Sequence, residues 1–197
     1  MRSAFTMLVL FAPTTMVAQA RWSLGVEVGG TTYSAAAHDT SVDQVHLRPG
    51  YPTIYTVRLA RESDRFGVAL GVGFASSEWA VNIDDFRILT GDGLALFEIA
   101  PEVSARIART SAGATLRVHT GPIFDVWVPS GEDPRQRLGA QLGLALALPL
   151  AQAWKVTIRS DMALSRSFLN EDEESAAVRR DGTMRRGRLA LGITRRL

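Results

Sequence analysis

The residues able to do chemistry are few. Of the three histidines, His38 and His46 fall in a polar stretch at 34–50 that also carries Asp39, Ser41 and Asp43. An imidazole near a hydroxyl and a carboxylate is the equipment of acyl transfer, in which a base takes the proton of an attacking oxygen. The same donors could hold a divalent cation. Their spacing matches no specific metal or catalytic motif, and a solvated polar loop accounts for them equally. We therefore assign no catalytic residue, no metal site and no cofactor. The absence of cysteine removes disulfides, thiolate-bound zinc and thiol catalysis together. An acidic run, Glu171–Glu174, precedes Arg179, Arg180, Arg185 and Arg186. Those four cations could meet phosphate groups at a surface.

A second set of charges is distributed differently. Glu27, Arg58, Glu98, Glu102, Arg117, Arg159, Asp161 and Arg188 stand as isolated charges in alternating segments, on a face that carries Gly and Ala beside them. His119 shares the face of Arg117. Charges held inside a structure need partners, because an unpaired one costs several kcal/mol, of order 3–5. The expected pairs are Glu98 and Glu102 with Arg58 and Arg117, and Asp161 with Arg159 or Arg188.

The elements that must position these charges read as β-strands. In the run 65–76, Phe66, Val68, Leu70, Val72 and Phe74 alternate without a break against Gly67, Ala69, Gly71, Gly73 and Ala75. A period of two is a strand, with one large apolar face and one nearly bare face. Seven further segments alternate the same way, at about 22–29, 53–61, 94–107, 113–124, 137–149, 154–168 and 186–197. Pro101 inside the fourth suggests a bulge. The connections alternate long and short, with long ones at 34–50, 77–93, 125–135 and 169–183. This predicts an all-β fold, an eight-stranded antiparallel up-and-down barrel.

The 197 residues suit one domain, and hydrophobic residues at 46% with charged ones at 21% exclude a disordered chain. With a net charge of +2 and interspersed signs, no nucleic-acid footprint appears. At the start, Met1-Arg2 is a positive region, 4–12 a short apolar run and Ala18-Gln19-Ala20 a small-x-small cleavage pattern. Residues 1–20 are thus expected to be a signal peptide and 21–197 the barrel domain. No segment is apolar enough to span a bilayer as a helix, so entry into a membrane would require a closed barrel.

Three features place the apolar face outward. Small residues on the third and sixth strands make room inside a narrow barrel for long Arg and Glu side chains from the others. The Leu- and Val-rich face carries almost no charge away from strand ends. Aromatic residues on that face fall at two levels: Trp22, Phe66 and Trp154 at the short-turn rim, and Tyr55, Phe74, Phe97, Phe124 and Phe168 at the long-loop rim. Two aromatic girdles are expected where a barrel crosses both membrane interfaces.

This combination resembles the small eight-stranded outer-membrane barrels of the OmpA and OmpX type. The resemblance covers the mature chain and is architectural. It implies residence in the outer membrane beside lipopolysaccharide and insertion by the outer-membrane assembly machinery. That family usually ends in an aromatic residue; here the end is Leu197, and Arg195 interrupts the alternation. The expected role is structural or surface-interacting, through four long external loops that could bind an extracellular partner, with the interior plugged by ion pairs. The alternatives are a lipid A-modifying enzyme on the same scaffold and a secreted lipocalin-like barrel with the apolar face around a ligand.

Overall fold

The computed structural model describes residues 20–34, 37–39, 45–83, 86–167, 178–180 and 182–197. The expected signal peptide therefore lies outside the described residues except for Ala20, as do Ser41, Asp43, Phe168 and the acidic run Glu171–Glu174. The described residues form strands and turns and no helix.

The eight principal strands are β1 (Arg21–Tyr33), β4 (Thr53–Glu62), β5 (Phe66–Ile83), β6 (Phe86–Arg109), β7 (Thr115–Pro129), β8 (Arg135–Pro149), β9 (Trp154–Arg166) and β11 (Thr183–Arg196). Each pairs antiparallel with the next, and β1 pairs with both β4 and β11, so the sheet closes on itself. Closure leaves no principal strand with a free edge along the wall. The seam is fastened at one end by the amide of Leu197, which donates to the carbonyl of Trp22 at 2.9 Å. Three short strands stand apart: β2 (Ala37–Asp39), β3 (Val45–Pro49) and β10 (Val178–Arg180). They extend the sheet from β5 in the order β3, β2, β10, beyond the long-loop rim.

Alternation sets the two faces as the sequence predicts. Leu70, Leu144 and Ile158 are 45, 46 and 40% exposed on the outside, while Arg58, Glu98 and Arg159 are 8, 1 and 4% exposed within. An apolar wall around a polar interior is the reverse of a lipocalin-like barrel. Small residues give the charges their room. A Cβ on Gly71 would stand 3.1 Å from Arg58 Nη1, and one on Gly143 would collide with Asp161 Oδ1 and His119 Nε2.

Two of the expected long loops are largely strand. β5 runs to Ile83 and β6 begins at Phe86, while β7 runs to Pro129 and β8 begins at Arg135. The alternation simply continues past the rim, with Trp79 and Val81 against Ala80. At 24 residues, β6 is about twice the 9–11 that a tilted strand needs to cross a bilayer. The surplus of β5 and β6 rises as one hairpin. The bulge expected at Pro101 is also absent. Residues 100–102 of β6 make no ladder pairs with β7, yet the register is the same on both sides, Ile99 facing Phe124 and Val103 facing Thr120. That register sets Pro101 opposite Pro122. Neither proline has an N–H to donate, so the ladder lapses without shifting. The register shifts of β6 fall instead between Arg106 and Ala108 against β7, and opposite Glu78/Trp79 of β5.

Candidate functional site

The barrel interior has three levels. The middle is a continuous chain of alternating acids and bases. Glu27 accepts from Arg58 Nε at 2.9 Å and Nη2 at 3.1 Å. Arg58 Nη1 lies 2.6 Å from Glu102, and Arg159 Nη2 donates to the same Glu102 oxygen at 3.0 Å. Gln141 Nε2 donates to it as well, at 3.0 Å. Arg159 continues to Asp161 at 3.3 Å, and Asp161 to Arg188 at 2.6 Å. Arg188 reaches Glu98 at 3.3 Å, Glu98 pairs with Arg186, and Arg186 reaches Asp125 at 3.5 Å. Every one of these nine charged residues is buried. A low-dielectric interior strengthens each of these contacts and makes a missing one expensive.

His119 joins this chain from β7. Its Nε2 lies 2.5 Å from Asp161 Oδ1 and 2.7 Å from Arg159 Nη2, and the ring is 2% exposed. It faces the interior, as its parity predicts, and away from the outer wall where a lipid acyl chain would lie. Of the residues considered for acyl transfer or metal binding, His38 and His46 are cross-strand neighbours on β2 and β3, and Asp39 pairs with Val178 of β10. Among the described residues, no cluster of three or more metal-ligating side chains occurs.

Toward the long-loop rim the interior turns apolar. Tyr33, Ile54, Ala75, Leu94, Leu96, Trp127 and Met184 form a buried cluster. Tyr33 and Trp127 meet edge to face with ring centroids 5.6 Å apart. This stopper, absent from the sequence-level expectations, sits above Arg186, Glu98 and Asp125. Its signal was available in the inward parity of Ile54, Leu94, Leu96 and Met184.

Toward the short-turn rim the interior stays polar. Arg117 Nε lies 3.4 Å from Glu62, and its Nη2 donates to the carbonyl of Ser63 at 2.8 Å. Arg117 therefore does not pair with Glu98 or Glu102, and Glu98 takes Arg186 and Arg188 in place of Arg58 and Arg117. The reason is height along the barrel. Glu98 is level with Asp125, its partner across the β6–β7 ladder. Arg117 is eight residues below Asp125 on β7, about 26 Å of strand at roughly 3.3 Å per residue. Parity fixes the face but not the level. Glu102 meets Arg58, and Asp161, expected to meet Arg159 or Arg188, meets both. Arg186, grouped in the sequence with surface cations, is enclosed in the lumen at 6% exposure. It shares the parity of Arg188, whereas Arg185 points out.

The exterior aromatics occupy two levels. Tyr55, Phe74 and Phe97 are successive ladder partners across β4, β5 and β6, and the rings of Phe74 and Phe97 lie 5.1 Å apart. Phe124 faces Ile99 at nearly the same height. At the opposite rim, the guanidinium of Arg61 lies 5.7 Å from the Trp22 ring and that of Arg195 5.6 Å from the Trp154 ring. Arg195, which interrupts the alternation in the sequence, thus covers an aromatic face at the barrel end. Phe66 stands at this rim as well. From Phe66 to Phe74 is about 26 Å of strand, or about 20 Å of height at the usual tilt, close to the apolar band of about 25 Å in outer-membrane barrels.

No protein-family model matches the sequence, and no curated protein matches it. Solved structures do match by shape. The outer membrane protein OprG from Pseudomonas aeruginosa aligns at 7% identity over 91% of this chain and 97% of its own, with a TM-score of 0.55. Ail, the attachment invasion locus protein of Yersinia pestis, solved with the heparin analogue sucrose octasulfate, aligns at 12% identity over 91% and 99%, with a TM-score of 0.53. A major outer membrane protein from Thermus thermophilus aligns at 16% identity over 89% and 99%, with a TM-score of 0.50. The chain has the fold of the small eight-stranded outer-membrane barrels.

Proposed function

We propose that this protein resides in the outer membrane as a small barrel whose interior is closed, and that it acts through the structure raised above its long-loop rim. The carrying observation is the belt of exposed Leu, Val, Ile and Phe around all eight strands, with the charges enclosed. Such a surface in water would be an extensive aggregation liability, whereas hydrocarbon tails satisfy it. Residence in that membrane entails insertion by its assembly machinery and contact with lipid and lipopolysaccharide. The tall β5–β6 hairpin and the added strands β3, β2 and β10 offer the surface on which an extracellular partner would dock, and loop chemistry would set its specificity. The lumen contributes rigidity: its ion-pair chain ties β1, β4, β6, β7, β9 and β11 together.

Fractionation and heat-modifiable migration test the location. The protein should require detergent for extraction and migrate differently before and after boiling; recovery in a soluble periplasmic extract would overturn the reading. Shortening the β5–β6 hairpin above Glu78 should leave heat modifiability intact and abolish binding of whole cells to their target surface. Unchanged cell binding would remove the role of the hairpin.

A further inference from the structure

We infer that the short-turn mouth of the barrel is a binding cup for a small doubly charged oxyanion of the phosphate type. The mouth holds a cavity of about 810 Å³. Among the described residues, six cations line it, Arg21, Arg106, Arg109, Arg117, Lys155 and Arg196, against two carboxylates, Glu62 and Asp64. Each carboxylate is divided between two cations. Glu62 lies 3.4 Å from Arg117 and 3.7 Å from Lys155. Asp64 is gripped by both Nη atoms of Arg106 and lies 3.5 Å from Arg109. Arg21, which faces Glu62 across the β1–β4 ladder, and Arg196 reach the cavity as well. A surplus of positive charge thus faces a concave, partly desolvated space, which focuses the field on an entering anion.

The cavity continues inward to a narrower end of about 70 Å³, and Ser23, Glu62, Arg117, Lys155 and Thr194 belong to both. That volume is about two waters' share of the liquid, enough for a single oxyanion group. Hydroxyl donors from Ser23, Thr157 and Thr194 stand on its wall between Gly25, Ala60 and Ala145, which present no bulk. Its floor is the ion-pair chain. There the Nε of Arg159, 4% exposed, lies 3.7 Å from Glu27 Oε2, beyond hydrogen-bond distance, so Glu27 is the carboxylate an anion would meet at the floor. Guanidinium forks, an ammonium and hydroxyls are the donor set for a phosphate-type group. Because the ion-pair chain and the apolar stopper close the lumen above, the cup is blind, and the anion enters and leaves by the short-turn mouth.

The test is calorimetric titration of the purified, detergent-folded barrel with inorganic phosphate at constant ionic strength, with sodium chloride and glycerol 3-phosphate as parallel arms. Saturable binding of phosphate, absent with chloride, is expected. Glycerol 3-phosphate binding comparably identifies a phosphomonoester ligand, and phosphate alone identifies the free ion; either supports the cup. The double variant R117Q/K155Q should weaken binding by about tenfold or more, each lost charge-assisted contact being a strong one. E62Q, which frees Arg117 and Lys155 from their carboxylate, should tighten it severalfold. A poorly folded variant cannot bind better, so this arm separates the cup from general damage. Binding equal in wild type, R117Q/K155Q and the exterior variant R185Q, or no saturable binding at all, would overturn the inference.

Discussion

Arg188 stands directly opposite Asp161 across the β9–β11 ladder, and its Nε donates to Asp161 Oδ2 at 2.7 Å. A cross-strand pair on the inner face thus doubles as the link that carries the ion-pair chain from its lower to its upper half. Asp161→Asn leaves Arg188 and Arg159 short of a counter-charge in a buried site. The expected loss of stability is about 3–5 kcal/mol, as for breaking other buried pairs from one side. Arg188→Met should cost less after Asp161→Asn than in the wild type, with a coupling of about 0.5–3 kcal/mol. Urea unfolding of the four proteins in detergent or lipid measures it; strict additivity would mean the two groups do not act as a pair.

Gly143 and Gly30 make a matched comparison. A methyl on Gly143 would collide with Asp161 and His119, whereas one on Gly30 meets nothing within 4 Å. Gly143→Ala should destabilise by about 1–3 kcal/mol, the usual cost of overpacking. Gly30→Ala should be neutral within about 0.5 kcal/mol, as for an open surface site. Thermal unfolding followed by heat-modifiable migration ranks the two; equal midpoints would show that the lumen is looser at β8 than its geometry requires.

Much of this architecture is legible in the chain because a barrel wall has a period of two. Phe66 to Ala75 alone reveals both faces, and Gly71 and Gly143 foreshadow the space that Arg58 and His119 fill. Height is what alternation conceals. Two residues of the same parity can share the lumen and still lie far apart along the axis, which is why Arg117 meets Glu62 and not Glu98. Arg186 was obscured by its neighbours Arg179, Arg180 and Arg185, which made the segment look like a surface cluster, although its parity with Arg188 places it inside. The stopper around Trp127 was hidden for a related reason: an apolar residue on the inner face looks like a lapse in the pattern until its counterparts on other strands converge on it.

Depth should also grade the cost of a charge on the outer wall. Leu70 lies midway between Phe66 and Phe74 on β5. Leu70→Arg should destabilise the membrane-inserted barrel by about 2–4 kcal/mol, and Phe66→Arg, at the rim, by about 0–1 kcal/mol for the charge itself. Folding titrations into lipid vesicles measure both. Equal costs at the two positions would be inconsistent with a bilayer midplane near Leu70.

The interior predicts electrical silence. The ion-pair chain fills the middle of the lumen and the stopper closes the long-loop end, so the purified barrel in a planar bilayer should show no large, stable single-channel conductance. Trp127→Ala removes the largest side chain of the stopper at a cost of about 3–5 kcal/mol. It should still not conduct, because Arg58, Glu102 and Arg159 remain locked beneath. Steady conductance in the Trp127→Ala variant would place the barrier at the stopper and not in the ion pairs.

The turn between β4 and β5 offers a pH readout free of the lumen. Asp64 is exposed there, and its hydrogen bonds from Arg106 hold its carboxyl below the ordinary aspartate range, with Arg109 and Arg65 adding to the effect. A carboxyl depressed on folding stabilises the folded state above its unfolded pKa, and that contribution is lost as pH falls through the folded value. Exposure keeps the stability term small, so the titration itself is the measurement. In a carboxyl-detected NMR titration, Asp64 should stay ionised to lower pH than an ordinary aspartate, and Arg106→Gln should move it back toward that range. If Asp64 titrates alike in both proteins, the β5–β6 end of the short-turn rim is not fastened by this pair.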